Sequence, residues 1–143
     1  MKTLKIVLVA LFVSAANLLF AQDQGIITFE KTEHDFGTVK EEGGPITVDF
    51  KFKNTGKAPL IVSGVQASCG CTTPDWSKDP IAPGKSGFIR AQYNPQGRPG
   101  MFNKTLTVTS NTTPATSLIT IKGNVTPTPA PAPAPAPAAT PAK

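Results

Sequence analysis

From Ile46 the chain alternates without a break. Ile46, Val48, Phe50 and Phe52 are apolar, and Thr47, Asp49, Lys51 and Lys53 between and after them are polar. Successive side chains of a β-strand leave opposite faces, so a period of two means a strand with one buried face and one wet face. Nowhere in the central hundred residues do apolar side chains recur at i, i+3, i+4 and i+7 over three turns, and Gly and Pro come too often to permit a helix. Asn54-Thr55-Gly56 reads as a turn with Gly56 at positive φ. Pro59 to Val65 is the next strand, with Leu60 and Val62 inward. Pro80 to Gly84 turns into a strand where Ile89, Ala91 and Tyr93 alternate with Arg90 and Gln92, and Asn94-Pro95-Gln96-Gly97 ends it. Phe102, Leu106 and Val108 mark another strand, closed by Ser110 to Pro114, and Ile119, Ile121 and Val125 share one face of the last. With strands at Ile26 to Phe29 and Phe36 to Val39 the count is about seven. Short strands punctuated by Gly, Pro and Asn turns predict an all-β, antiparallel two-sheet sandwich in a single domain over residues 22–126.

The two ends are of a different kind. Lys2 and Lys5 precede an apolar run from Ile6 to Phe20 that only Ser14 and Asn17 interrupt, and Ala21 supplies a small residue for a cleaving peptidase. Residues 1–21 are therefore expected to be an export signal, cut after Ala21, with Ala16 as the fallback site. The competing role is an uncleaved anchor, but the run falls short of the ~20 residues that a spanning helix needs. The exported protein then belongs in the periplasm or outside the cell, with no stable membrane insertion after cleavage. No cysteine follows the run to carry a lipid. At the other end, residues 127–143 repeat Pro and Ala with no bulky apolar side chain after Val125. Such a tail is disordered or a polyproline II rod, reaching about 50 Å at ~3.1 Å per residue.

Charge excludes one class of partner. The chain carries 14 Lys and Arg against 9 Asp and Glu, a formal net charge of +5, but the cations are scattered and two lie in the leader. A nucleic-acid footprint needs clustered cations and a binding motif, and neither is present.

The chemistry-bearing residues are few. Cys69 and Cys71 stand one residue apart, so they cannot pin distant strands together as a core-spanning disulfide would. The pair acts locally, as a loop disulfide, a dithiol or two metal ligands. A disulfide wants Cα atoms roughly 4.4–6.8 Å apart, within reach when the chain turns at Gly70, and thiols outside the cytoplasm oxidise. A ring closed over one residue is strained and more easily reduced than an ordinary structural bond. Two soft thiolates also suit Cu(I) or Zn(II), with His34 or Met101 completing the shell. Structural zinc, however, takes four ligands, which Cys69, Cys71 and His34 do not provide, so no metal and no other cofactor is assigned. His34 is the single histidine, just before a strand, where an edge or loop residue bonded to a neighbour is the commoner outcome. No third orienting group or oxyanion-hole motif accompanies it, so no catalytic residue is assigned. Asp35 reads as a turn residue that satisfies its own backbone. Trp76, the only tryptophan, is expected to plug one end of the sandwich rather than to stand out as a binding anchor.

In order along the chain come Phe36-Gly37-Thr38-Val39, Phe52-Lys53-Asn54-Thr55-Gly56 with Pro59-Leu60-Ile61-Val62, Ser68-Cys69-Gly70-Cys71-Thr72, Ile81-Ala82-Pro83-Gly84 and Ile121-Lys122-Gly123-Asn124-Val125. This series resembles a bacterial exported family of unknown function with an immunoglobulin-like fold, similar in shape to Hydin-type and major-sperm-protein-like domains. The resemblance spans Phe29 to Val125, and Cys-Gly-Cys-Thr is its most specific part. It implies a fold and an extracytoplasmic setting, and no established activity. The function expected is a non-catalytic binding or scaffolding module of the cell envelope with a protein or envelope partner. The rival is a small metal- or thiol-handling protein built on Cys69 and Cys71.

Overall fold

The computed structural model describes residues 23–129. The expected leader, 1–21, lies outside them, and so does the expected tail, 127–143, apart from its first three residues. Among the described residues the only helical element is a single 3-10 turn, Glu41–Gly43, and everything else is strand, turn or loop.

Eight strands form two four-stranded sheets. They are β1 (Ile27–Phe29), β2 (Glu33–Lys40), β3 (Ile46–Asn54), β4 (Val62–Ala67), β5 (Thr72–Trp76), β6 (Ser86–Tyr93), β7 (Gly100–Ser110) and β8 (Thr116–Thr126). One sheet runs β1-β3-β6-β5 and the other β2-β8-β7-β4. The two-sheet sandwich inferred from the alternation, immunoglobulin-like as the family resemblance implied, is the fold of this chain. Two details differ: the described residues form eight strands, and one pairing is parallel.

The extra strand is β5. Its sequence, Thr-Thr-Pro-Asp-Trp, has no clean alternation, and Pro74 argues against a strand interior. Pro74 is accommodated because β5 is an edge, paired only with β6, where a missing N–H is harmless. The parallel pair is β2 with β8, Glu33 opposite Thr120 and Lys40 opposite Thr126. It arises because the chain changes sheets between Phe29 and Glu33. β1 pairs antiparallel with β3, and β2 then crosses to the outer edge of the other sheet. His34 and Asp35, expected before this strand, lie inside it.

The alternating residues meet between the sheets. Phe50, Ile89 and Ala91 from one sheet, and Leu106, Val108, Ile119 and Ile121 from the other, are fully buried. Each of these other than Ala91 stabilises the fold by about 1.5–3 kcal/mol. Leu60, before β4, is also fully buried and forms an isolated bridge to Ile81, which closes one end of the core.

Gly56 does not take the positive φ that its turn suggested. Glycine is needed there for a different reason. A Cβ would collide with the carbonyl oxygen of Gln24 and stand 2.5 Å from the Ile26 nitrogen, because the strand leading into β1 passes directly over it.

Candidate functional site

Residues 68–72 carry the chain from one sheet to the other. β4 parts from β7 beyond Ala67, with the Ser68 N–H still donating to the Thr105 carbonyl at 2.9 Å. At Thr72 the chain has joined the opposite sheet as β5. At this crossover Cys69 and Cys71 are joined in a disulfide, their Cα atoms 5.3 Å apart. The loop is held on both flanks: the Thr72 N–H donates to the Cys69 carbonyl at 3.4 Å, and the Asn94 N–H to the Cys71 carbonyl at 3.0 Å. Gly70 was expected to make the turn possible. Its φ is not in the left-handed region and a Cβ there would meet nothing within 4 Å, so the loop does not call on glycine's freedom.

The two sulfurs differ in environment. Cys71 is 8% exposed and belongs to the core cluster, whereas Cys69 is half-buried at its margin. Between them stands Thr72, 4% exposed, with its hydroxyl 3.8 Å from the Cys69 sulfur and 3.9 Å from the Cys71 sulfur.

Beside the disulfide lies an open hollow of about 510 Å³, bounded by Cys69, Gly70, Cys71, Tyr93, Arg98, Pro99, Met101, Phe102 and Lys104. Tyr93 and Phe102 stack face to face with centroids 4.1 Å apart, one ring from each sheet, which seals the core beneath it. Burial raises the Tyr93 phenol above its usual range, and the nearby Arg98 charge partly opposes that. Arg98 is held by donating to the carbonyls of Asn94 at 3.4 Å and Gln96 at 2.9 Å. Lys104 sits on the core-facing register of β7, between Phe102 and Leu106. It escapes full burial because β4 has left β7 at that level. No acid lines this hollow, and among the described residues neither cation forms an ion pair. The field above the disulfide is therefore positive.

Met101 separates this hollow from a second, of about 400 Å³, whose walls include Asp35, Gly37, Lys122 and Gly123. It is 91% exposed, the most exposed large apolar side chain described. Asp35 here accepts the Gly37 N–H at 2.7 Å, at the irregularity where β2 shifts register against β8.

His34 is not brought to the cysteines. It lies on β2, at the opposite edge of its sheet from β4, with β8 and β7 between. At ~4.8 Å per strand, His34 and Cys69 are on the order of 14 Å apart, too far to share one ion. The Lys31 ammonium donates to His34 Nδ1 at 3.1 Å, and the ring meets Phe36 edge-on at 4.5 Å. Burial, and then the Lys31 charge, hold its pKa below the usual imidazole value. Among the described residues no group of three His, Cys, Asp or Glu side chains could hold a metal. Trp76 is half-buried and packs on the core, with Nε1 donating to the Val62 carbonyl at 3.2 Å and the Lys78 ammonium 3.1 Å over its ring. It closes the side seam between β5 and β4 rather than an end of the sandwich.

Thr72, Tyr93, Arg98 and Lys104 were not singled out as site residues from the sequence. Lys104 left one trace there: it occupies an inward position in the run Phe102, Leu106, Val108, where the alternation calls for an apolar residue. Thr72 directly follows Cys71 and stood in the Cys-Gly-Cys-Thr element without being given a role, whereas the gathering of Tyr93 and Arg98 around the disulfide depends on the turns and carried no local signal.

Several solved structures share this fold. A protein of unknown function from Porphyromonas gingivalis W83 matches with a TM-score of 0.63 at 19% identity, over 76% of this chain and 50% of its own. The human CEP192 ASH/PapD-like domain (PapD-like domain 7) matches with a TM-score of 0.54 at 14% identity, over 73% of this chain and 88% of that one. The secreted serine protease VesC from Vibrio cholerae matches with a TM-score of 0.53 at 15% identity, over 69% of this chain and 23% of its own. This chain thus spans half of the Porphyromonas protein and under a quarter of the protease, and at such identities the likeness is one of fold. No curated protein matches the chain. The family described as protein of unknown function (DUF1573) matches residues 27–125, from the first strand almost to the end of the last, and the chain belongs to that family.

Proposed function

We propose that the chain is a non-catalytic binding module that works outside the cytoplasm in the bacterial cell envelope, and that the Met101 end of the sandwich meets a protein partner. Met101 carries this reading. Isolated apolar residues on a surface are ordinary, but this one is 91% exposed and stands between two hollows whose walls it shares with Phe102. A methionine is flexible and polarisable, suited to adapt to an incoming apolar side chain. The leader-like Met1 to Ala21 supports export, and the Pro/Ala tail suits a spacer. The soft-metal reading of Cys69, Cys71 and His34 draws no support from the distance between them.

The test is photo-crosslinking in the source envelope from position 101, with position 116, at the far end of the sandwich, as the control. A discrete protein adduct from 101 alone is expected. Equal patterns from both positions, or no adduct from 101, would sink the proposal. Intact-mass measurement of exported protein tests the address: the chain should begin at Gln22, and a mass retaining residues 1–21 would make it an anchored protein.

A further inference from the structure

The disulfide at the crossover has an environment better suited to its opened form than to its closed one. Thr72 is 4% exposed, and its hydroxyl lies within 3.9 Å of both sulfurs. A disulfide sulfur is a weak acceptor, but a thiolate is a strong one, so this contact strengthens when the bond opens. Arg98 and Lys104 line the same hollow, whose lining residues include no acid; the nearest carboxylate that the hydrogen bonds place by Arg98 is Glu41, which is engaged by the Gly97 N–H at 2.9 Å. Positive charge favours a thiolate over a thiol and draws in anions. Access is asymmetric as well, since Cys69 borders the hollow half-buried while Cys71 lies in the core cluster. Finally, a ring closed across one residue removes little freedom from the unfolded chain, so such a bond contributes little as a staple.

We propose that the Cys69–Cys71 disulfide is a thiol-exchange site, opened at Cys69 by anionic thiols gathered by Arg98 and Lys104. The incoming thiolate attacks Cys69 Sγ and forms a mixed disulfide. The Cys69–Cys71 bond breaks, and Cys71 leaves as a thiolate that accepts the Thr72 hydroxyl proton in a hydrogen bond. Cys71 can then re-attack Cys69 and expel the thiol. Alternatively, a second thiolate attacks the incoming sulfur, releasing Cys69 and a disulfide of the two small thiols. In that second outcome two thiols are oxidised to one disulfide, and the protein takes up their two electrons and two protons. The proposal does not rest on the partner-binding reading, because the reaction is followed with small thiols and no partner.

The experiment measures opening rates on the folded protein with 3-mercaptopropionate, 2-mercaptoethanol and cysteamine at matched thiolate concentration. The reaction is read by alkylation and intact mass, with circular dichroism to verify the fold. With each rate taken relative to the same thiol's rate on a neutral small disulfide, which removes intrinsic nucleophilicity, the anionic thiol should react about tenfold faster at low salt than the cationic one, as two partly screened charges imply. That preference should vanish in Arg98→Gln/Lys104→Gln. Thr72→Val should slow all three thiols several-fold and leave the preference intact, while Thr72→Ser, which keeps the hydroxyl, should behave as the unaltered chain. A further arm compares glutathione with a cysteine peptide of equal charge, and faster reaction of the peptide names a protein cysteine as the source of the thiol. Equal relative rates for the three small thiols, or a disulfide that opens only once the fold is lost, would overturn the proposal.

Discussion

Asn54 shows how much one residue can hold. It occupies the last inward position of β3, where the alternation of Val48, Phe50 and Phe52 would place a fourth apolar side chain, and it is fully buried. Its Oδ1 accepts from the Ile26 N–H at 3.1 Å and the Gly56 N–H at 3.0 Å, and its Nδ2 donates to the carbonyls of Ala58 and Ile81, both at 2.8 Å. One amide thus ties together the entry to β1, the turn after β3 and the Ile81 bridge. Asn54→Ala leaves the Ile26 and Gly56 N–H groups and the Ala58 carbonyl without partners, while the Ile81 carbonyl keeps the Leu60 N–H, and it should cost about 3 kcal/mol or more, read as a lower urea midpoint. Asn54→Asp puts a carboxylate oxygen against two carbonyls. Its folded pKa would rise, so that variant should be weakest near neutral pH and recover as the pH falls and the acid protonates. An Asp variant that loses stability on acidification faster than the unaltered chain would refute this account of the amide. Gly56 and Gly70 make a matched pair on the same scale. Gly56→Ala meets backbone that cannot yield and should be severely destabilising, whereas Gly70→Ala meets open space and should stay within ~0.5 kcal/mol of the unaltered chain.

Among the elements, β3 and β6 are joined on their outer faces by Asp49 and Arg90, with Arg90 Nε and Nη2 donating to the two carboxylate oxygens at 2.7 and 2.8 Å. The hydrogen bond from Arg90 holds the Asp49 carboxyl below the usual range. A lowered folded pKa stabilises the fold above the unfolded value, and that contribution is lost as the pH drops through the folded one. The side chains remain 47% and 38% exposed, so solvent screens the pair heavily. Asp49→Asn should lower the thermal midpoint by at most about 4 °C at neutral pH and low salt. Its midpoint should converge with that of the unaltered chain at acid pH and in high salt. A loss that persists unchanged at pH 2 would mean that packing, not charge, is responsible. The element missed in the sequence, β5, is unreadable for a physical reason. Edge strands with proline and two threonines look like turns until a neighbour pairs with them, and the β6 register supplies the reason that Trp76 ends up on the seam.

On the scale of the molecule, the large buried apolar side chains come from the two sheets and the loops between them, and residues 130–143 contribute no bulky apolar side chain to the sequence. Deleting them should leave the thermal midpoint unchanged, and a drop of more than a few degrees would show that they pack on the sandwich. At the root of that segment the Glu41 carboxylate accepts the N–H groups of Gly97 at 2.9 Å and Thr128 at 3.1 Å. The start of the tail is thereby tied to the turn that carries Arg98, at the same end as the disulfide and Met101. A partner docked at that end would lie next to the root of the tail, which is the arrangement a spacer requires.

The sandwich was legible because its cause is local. Alternation from Ile46 to Lys53 and from Ile89 to Tyr93 reports which face each strand buries, and Gly, Pro and Asn report where the chain must turn. Burial of those faces then leaves two packed sheets as the solution. The crossing of β2 to a parallel edge, the seam closed by Trp76 and the glycine requirement at Gly56 were not legible, since each is set by a segment distant in sequence. The candidate site divides in the same way. Cys69 and Cys71 declared from their spacing that they act locally. The tertiary structure alone decided that Arg98 and Lys104 border them and that His34 does not, because register and sheet crossing place side chains that no sequence period relates.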